Sequence, residues 1–191
     1  MTVALSTDIQ RWLGLSSDTK PTAAPPGSTF YETDSGATYI WDGAAWQPRL
    51  ELGPFFASKA VTFTGAAGLG QAGSNVVYFT VTGEVVIEKI APFCTVSLGE
   101  AAINSTLSLG VVGSAAFFIA ATDAVPTIAA NLFWVDTAPD ANGVALPAAL
   151  KDIIITDNII AVPAVADINA GAIRIDVYWR PLSANGKVAA A

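Results

Sequence analysis

The feature that most constrains the fold is a series of short β-prone runs that fills the chain from about residue 54 to its end. The runs are rich in β-branched and aromatic residues, turn residues separate them, and helical periodicity is almost absent. The clearest runs are residues 59–63, 75–81, 85–93, 107–112, 116–121, 153–155 and 173–179. So many short strands predict an all-β fold, an antiparallel β-sandwich or jelly roll.

Two of these runs support more specific predictions. Residues 76–90 are β-prone on both sides of Gly83, which predicts a hairpin with its turn near that glycine. In residues 172–179, apolar and polar side chains alternate with a period of two, as in a strand with one buried face. The predicted buried positions are Ile173, Ile175, Val177 and Trp179.

Residues 101–122 carry no charge and therefore require a test for a membrane span. Glycines and Ser114 interrupt the apolar part, which favours two buried strands around a Gly–Ser turn. The first residues of the chain lack a basic segment followed by a continuous apolar one, so we expect no signal peptide and synthesis in the cytosol. No membrane partner is expected.

The first 53 residues differ from the rest of the chain. Ser6 and Asp8 favour a short helix that runs past Trp12 and ends near Gly14. Prolines in residues 16–28 favour an extended arm. Residues 30–46 contain three short β-prone runs separated by turns, which predict a small three-stranded meander. We therefore predict two parts: an N-terminal arm with an aromatic meander over 1–53, and a β-sandwich over 54–191.

Aromatic residues are concentrated in the first part, and two interpretations of them remain open. Flat aromatic faces stack well on sugar rings, so the meander could bind a glycan. The alternative, which we favour, is that the rings form the small core of the meander and a docking face for a protein partner. The candidate partner-binding residues are Trp12, Tyr31, Tyr39, Trp41 and Trp46.

Composition excludes most enzyme chemistry. The chain has no His and a single Cys, so Ser-His-Asp triads, His-ligated zinc and intrachain disulfides are excluded. A net charge of −7 and the lack of a basic run argue against direct nucleic-acid binding, so no nucleic-acid partner is expected. Only 13% of residues are charged, against roughly 25% in an ordinary domain, which indicates burial against other chains. We expect no enzyme activity and no cofactor.

Other motifs have ordinary structural interpretations. The glycine-rich residues 65–70 lack the spacing of a phosphate-binding loop and predict a turn or an inter-subunit loop. Asp136, Asp140 and Asn142 resemble half of a calcium loop without its terminal Glu, so we predict a solvated loop and no metal. Cys94 lies among apolar residues and is predicted to be an inert core residue.

The charged pairs also have ordinary structural interpretations. Glu84 with Glu88, and Asp152 with Asp157, are spaced as paired carboxylates, but a solvent-facing position is favoured over catalysis. No catalytic residue is therefore assigned. Arg174 and Arg180, near Asp176, are predicted to form inter-strand or inter-subunit ion pairs.

Two segments support a family resemblance. The sequences LSSDTKP (15–21), PGSTFYETDSG (26–36) and YIWDGAAW (39–46) resemble an N-terminal module of tailed-bacteriophage virion proteins. The sequences YFTVTGEVVI (78–87), DINAGAI (167–173) and YWRPLS (178–183) are similar to uncharacterised phage structural proteins. This resemblance implies a structural virion protein, and it supplies no catalytic residue.

Together with the low charge, the resemblance implies a capsid decoration or cement protein that acts as a homotrimer. Residues 1–53 would bind the major capsid protein or a neighbouring subunit, and residues 54–191 would oligomerise on the capsid surface. The expected location is the virion, after assembly in the host cytoplasm. The alternative is a tail-fibre, baseplate or head-fibre component that binds host-surface glycans through the meander.

Overall fold

A computed structural model describes residues 9–34, 36–49 and 54–191. Strands account for 54% of it and helix for 2%, which confirms the predicted all-β fold. The chain forms two units, Met1–Leu52 and Gly53–Ala191. This division lies one residue from the boundary predicted at 53/54, and the roles assigned to the two parts remain predictions.

The N-terminal unit is a four-stranded sheet. Its strands are β1 (Arg11–Gly14), β2 (Thr29–Glu32), β3 (Thr38–Trp41) and β4 (Trp46–Arg49), in that spatial order. β1 runs parallel to β2, and the other two pairs are antiparallel. The last three strands form the predicted meander, whereas β1 was not predicted.

The prediction of a helix around Trp12 is wrong for the described residues, because residues 11–14 form β1. Its proposed capping residues, Ser6 and Asp8, lie outside the described part of the chain. A helix of about two turns is unstable without a partner surface. As a strand, the same residues pair with β2 and place the Trp12 ring 5.8 Å from the Trp46 ring, so tertiary contacts override local propensity.

The second unit consists of two five-stranded antiparallel sheets that enclose one hydrophobic core. One sheet has the order β10-β7-β13-β5, with β11 also paired to β7, and the other has the order β14-β6-β12-β8-β9. The strands are β5 (Phe55–Thr62), β6 (Val76–Thr82), β7 (Val85–Glu100), β8 (Thr106–Val111), β9 (Ser114–Asp123), β10 (Leu132–Phe133), β11 (Ile153–Ile155), β12 (Ile159–Ala164), β13 (Ile168–Pro181) and β14 (Lys187–Ala190).

Alternation along β13 confirms the predicted buried face. Ile173, Ile175 and Val177 are fully buried and Trp179 is 7% exposed, whereas Arg174 on the opposite face is exposed. β13 is central in its sheet because β5 and β7 pair with its two sides. Its inward side chains therefore pack against the second sheet and form the middle of the core.

The predicted hairpin over residues 76–90 is wrong. β6 and β7 belong to different sheets, so the chain crosses from one sheet to the other at Gly83. Gly83 has a φ of +63°, and a Cβ there would lie 2.5 Å from the Ser183 hydroxyl oxygen, which favours glycine at this corner. Strand alternation alone cannot distinguish a hairpin from such a crossing.

Residues 101–122 contain the predicted pair of strands, with β8 and β9 on both sides of a turn at Val112 and Gly113. The prediction that both are buried is wrong for β9, because seven of its ten residues are exposed, whereas β8 is largely buried. Within the described parts of the chain, no helix is both long enough and apolar enough to cross a membrane. Three strands of the second unit were missed, including the two-residue strand β10. β12 lies in the centre of its sheet, and β14, predicted only as an extended tail, pairs with β6.

Candidate functional site

One face of the N-terminal sheet carries a small aromatic core centred on Trp46. The centre of the Trp46 indole lies 5.4 Å from Trp41, 5.8 Å from Trp12 and 6.0 Å from Phe30. Phe30 and Trp41 are buried, at 3% and 6% exposure. The Trp46 Nε1–H also donates a hydrogen bond of 2.8 Å to the carbonyl of Pro21. This hydrogen bond connects the segment of residues 16–28 to the sheet.

Lys20 lies over the same face. Its Nζ is 2.6 Å from Glu32 Oε1, 4.4 Å from the centre of the Tyr39 ring and 5.0 Å from that of Phe30. The Lys20 and Glu32 side chains are 17% and 4% exposed, so the ion pair is largely shielded from water. Burial, with a further contribution from the charge of Glu32, raises the pKa of the Tyr39 hydroxyl.

We expect Lys20→Met to destabilise the N-terminal unit by about 2 to 3 kcal/mol, because it leaves the buried Glu32 carboxylate without its cation. The matched control is Arg174→Met, which removes a pair whose arginine is 46% exposed and is expected to cost at most about 1 kcal/mol. Urea unfolding followed by the assigned indole N–H signals measures each unit separately. Equal losses in the two variants would contradict the structural role of the Lys20–Glu32 pair.

The opposite face of the N-terminal sheet is exposed at its edges and half-buried at Thr29, Thr38 and Ile40. It carries the alternate residues of the four strands, and we call it the module face: Arg11, Leu13, Thr29, Tyr31, Thr38, Ile40, Gln47 and Arg49. Leu13 and Tyr31 are register partners and are 76% and 42% exposed. The described strands bring two arginines and no carboxylate to this face. Its apolar members are Leu13, Tyr31 and Ile40, beside five polar or charged side chains.

The structure divides the five predicted partner-binding residues between these two faces. Trp12, Trp41 and Trp46 meet in the aromatic core, and Tyr39 lies beside it under Lys20. Only Tyr31 is on the module face. Whether any of them binds a partner remains a prediction.

Sequence reasoning missed two apolar members of the module face, Leu13 and Ile40. Period-two alternation around Trp12 identifies Leu13, but the capping signals before it predict a helix over those residues. Ile40 is the register partner of Thr29, and its neighbours in sequence are Tyr39 and Trp41 on the aromatic side. The alternation places it on the module face.

In the second unit, the carboxylates singled out by sequence bind nearby groups. Glu88 Oε1 is 2.5 Å from Arg180 Nε, an inter-strand ion pair as predicted. Asp136 Oδ1 accepts the backbone N–H of Ala138 at 2.7 Å, which is a local turn. Arg174 pairs with Asp176 along its own strand instead of across strands. Among the described residues, no three His, Cys, Asp or Glu side chains form a cluster suited to a metal ion.

The glycine-rich residues 65–70 form a tight turn. The Leu69 N–H donates to the Ala66 carbonyl at 2.8 Å, and the two residues form a β-bridge. Gly70 has a φ of +119°, and a Cβ at this position would lie 2.1 Å from the carbonyl oxygen of Ile168. Close backbone approach therefore accounts for this glycine without a ligand.

Cys94 is fully buried in the core, as predicted. Its Sγ contacts the Val96 carbonyl at 3.2 Å, and burial raises the pKa of the thiol to about 11. The thiolate is the reactive form, so the folded protein holds this cysteine in its unreactive state.

We expect DTNB to label Cys94 at pH 8 only as fast as the second unit unfolds, and completely in urea. The pKa of this thiol is raised from 9.0 in the unfolded chain to about 11 in the folded one. Between these values, the unfolded state loses its proton first, so stability should fall as the pH rises from about 9 to 11. Complete labelling of the folded protein within minutes at pH 8 would contradict this burial.

No protein-family model matches the chain, and no curated protein matches it significantly.

Proposed function

We propose that this chain is a structural virion protein of a tailed bacteriophage, a decoration protein that binds the assembled head and stabilises it. The observation that carries the proposal is the module face. It presents Leu13 and Tyr31 as register partners at 76% and 42% exposure, and the described strands bring no carboxylate to this face. Large exposed apolar residues in one patch are typical of a surface that another protein covers.

The two units take different roles in this proposal. The N-terminal unit anchors the chain on the major capsid protein, and its aromatic core holds the module face rigid. The second unit has its own core and assembles as a homotrimer on the capsid surface. Its exposed apolar side chains, such as Val165 at 75% and Val96 at 55%, are available for contacts between copies. The role is one of binding, and no residue is assigned to catalysis.

Stabilisation follows from mass action. A protein that binds the assembled shell and not its dissociated subunits lowers the free energy of the shell. At a free concentration of about 100 times Kd, the gain is about 2.7 kcal/mol for each site. Many equivalent sites on a symmetric shell multiply this gain without any covalent step.

The test is binding of the purified chain to phage heads that lack it. The double variant Leu13→Ser with Tyr31→Ser should reduce the affinity at least about 100-fold, since central apolar residues dominate interface energies. The control is Ile103→Ser, an equally exposed substitution in the second unit, which should leave the affinity unchanged within about threefold. Unchanged binding by the double variant would contradict the role of the module face.

The second candidate function is a tail-fibre, baseplate or head-fibre component that binds host-surface glycans. Recognition through the meander is not favoured, because Trp41 is 6% exposed and the Trp46 ring packs on three other rings. Substituting Trp41 therefore tests folding of the unit more than sugar recognition. The observation that favours glycan binding lies in the second unit, where the ring of Phe56, at 56% exposure, packs beside that of Tyr178.

A further inference from the structure

The outer surface of the β5-β13-β7 sheet carries aromatic rings at two levels. At the first, Phe56 of β5 pairs in register with Tyr178 of β13, and the ring centres are 5.0 Å apart. Two rows further along, Phe93 of β7 packs 5.0 Å from Phe133 of β10. Phe56 is 56% exposed. Since one face advances about 7 Å every two residues, the two levels are about 14 Å apart.

Polar groups fill the row between these levels. The Ser58 hydroxyl donates to Asp176 Oδ1 at 2.5 Å, and Arg174 Nε donates to Asp176 Oδ2 at 3.1 Å. This network fixes the position of the Asp176 carboxylate. The Arg174 guanidinium has five N–H donors and is half-exposed, so some of these donors face solvent. The row can therefore exchange hydrogen bonds with a ligand that lies across the sheet.

The face also has an unneutralised positive charge. Lys89 is exposed, and its Nζ lies 4.1 Å from the centre of the Tyr178 ring. Among the described residues, no carboxylate lies within ion-pair distance of Lys89, whereas Asp176 is neutralised by Arg174. In a chain with a net charge of −7, this ammonium is a local site for an anionic group.

Flat rings, fixed hydrogen-bonding groups and a lone cation together match one kind of ligand. The C–H faces of pyranose rings pack on exposed aromatic rings, and their hydroxyls pair with serine, carboxylate and guanidinium groups. The cation favours a sugar that carries a carboxylate. We propose that the outer surface of the β5-β13-β7 sheet binds a carboxylated oligosaccharide, with the exposed ring of Phe56 as the stacking platform and Lys89, which lies over the Tyr178 ring, as the carboxylate partner.

This site is separate from the module face and does not depend on the proposed decoration role. The first test is an array of uronate- and sialate-containing oligosaccharides with neutral counterparts of the same length, probed with the full chain. Binding should be confined to the carboxylated members. Absence of binding to all of them, or equal binding to the neutral ones, would overturn the proposal.

Variants then locate the site by NMR titration with the strongest array member. Phe56→Ala should weaken binding roughly tenfold through loss of one stacking ring, and Lys89→Gln should reduce the affinity to that of the neutral counterpart. The control is Phe117→Ala, an exposed phenylalanine of β9 at 44% exposure, which should not change the affinity. If the affinity depended only on ligand charge and salt concentration, and Phe56→Ala bound as tightly as the unchanged protein, the proposed stacking role of Phe56 would be wrong.

Discussion

Replacing Trp134 with alanine should destabilise the second unit by about 3 to 5 kcal/mol, the largest effect that we expect from a single core substitution. Trp134 is fully buried, and its Nε1–H donates to the Thr122 hydroxyl at 3.0 Å. Its backbone N–H bonds to the Pro92 carbonyl of β7, whereas Thr122 belongs to β9 in the other sheet. The side chain therefore connects the two sheets. Its loss leaves a cavity and removes the hydrogen bond that the Thr122 hydroxyl accepts, although this hydroxyl still donates to the Ala120 carbonyl at 3.1 Å.

Urea unfolding of the full chain measures this loss through the indole N–H signal of Trp179, which also lies in the second unit. Phe117→Ala serves as the matched aromatic control, because that ring is 44% exposed, and should cost no more than about 1 kcal/mol. A Trp134→Ala variant as stable as this control would show that the two sheets do not depend on the Trp134 contact.

Trp46→Ala should unfold the N-terminal unit and leave the second unit folded. Trp46 supplies three ring contacts and the hydrogen bond to Pro21, so its removal should cost about 3 to 5 kcal/mol. A four-stranded sheet of this size has little stability in excess of that loss. The Trp12 and Trp41 indole signals should move to random-coil positions, while those of Trp134 and Trp179 stay dispersed.

The neighbouring substitution Gln47→Ala is the control for this experiment. Gln47 lies on the exposed face of β4, and its loss should leave all five indole signals in place. If Trp46→Ala kept the Trp12 and Trp41 signals dispersed, the aromatic cluster would not be the core of the unit. If all signals collapsed together, the division into two independently stable units would be wrong.

Much of the strand content could be predicted from sequence, because a half-buried strand alternates with a period of two. β13 shows this well, since its apolar positions are those that the structure buries. Pairing was less predictable. The β6 and β7 sequences are compatible with a hairpin, and only long-range contacts, such as β6 with β12 and β7 with β13, separate them into two sheets.

The sequence predicts which aromatic residues belong to the candidate site, but it does not predict which face of the sheet they occupy. The sequence identifies the aromatic residues of the first unit, but whether their rings are buried or exposed depends on β1. This strand forms because Trp12 pairs in parallel register with Phe30, which follows it in sequence only after residues 16–28. Local strand propensity cannot predict which distant segment a strand pairs with. The rings therefore form the core of the unit, and the exposed surface falls on Leu13 and Tyr31 of the opposite face.

The platform on the second unit was missed for a similar reason. Phe56, Lys89 and Tyr178 lie far apart in sequence and become neighbours only when β5, β13 and β7 pair in register. Each residue alone is an ordinary solvent-facing position of a strand. Their combination is a property of the sheet.

The central claim is that this chain decorates the phage head through its N-terminal unit, and cryo-electron microscopy of purified virions tests it most directly. The account predicts density for three copies grouped at threefold or quasi-threefold positions of the capsid, with the module face of each copy against the major capsid protein. Density on the tail, or virions that lack the chain altogether, would contradict it.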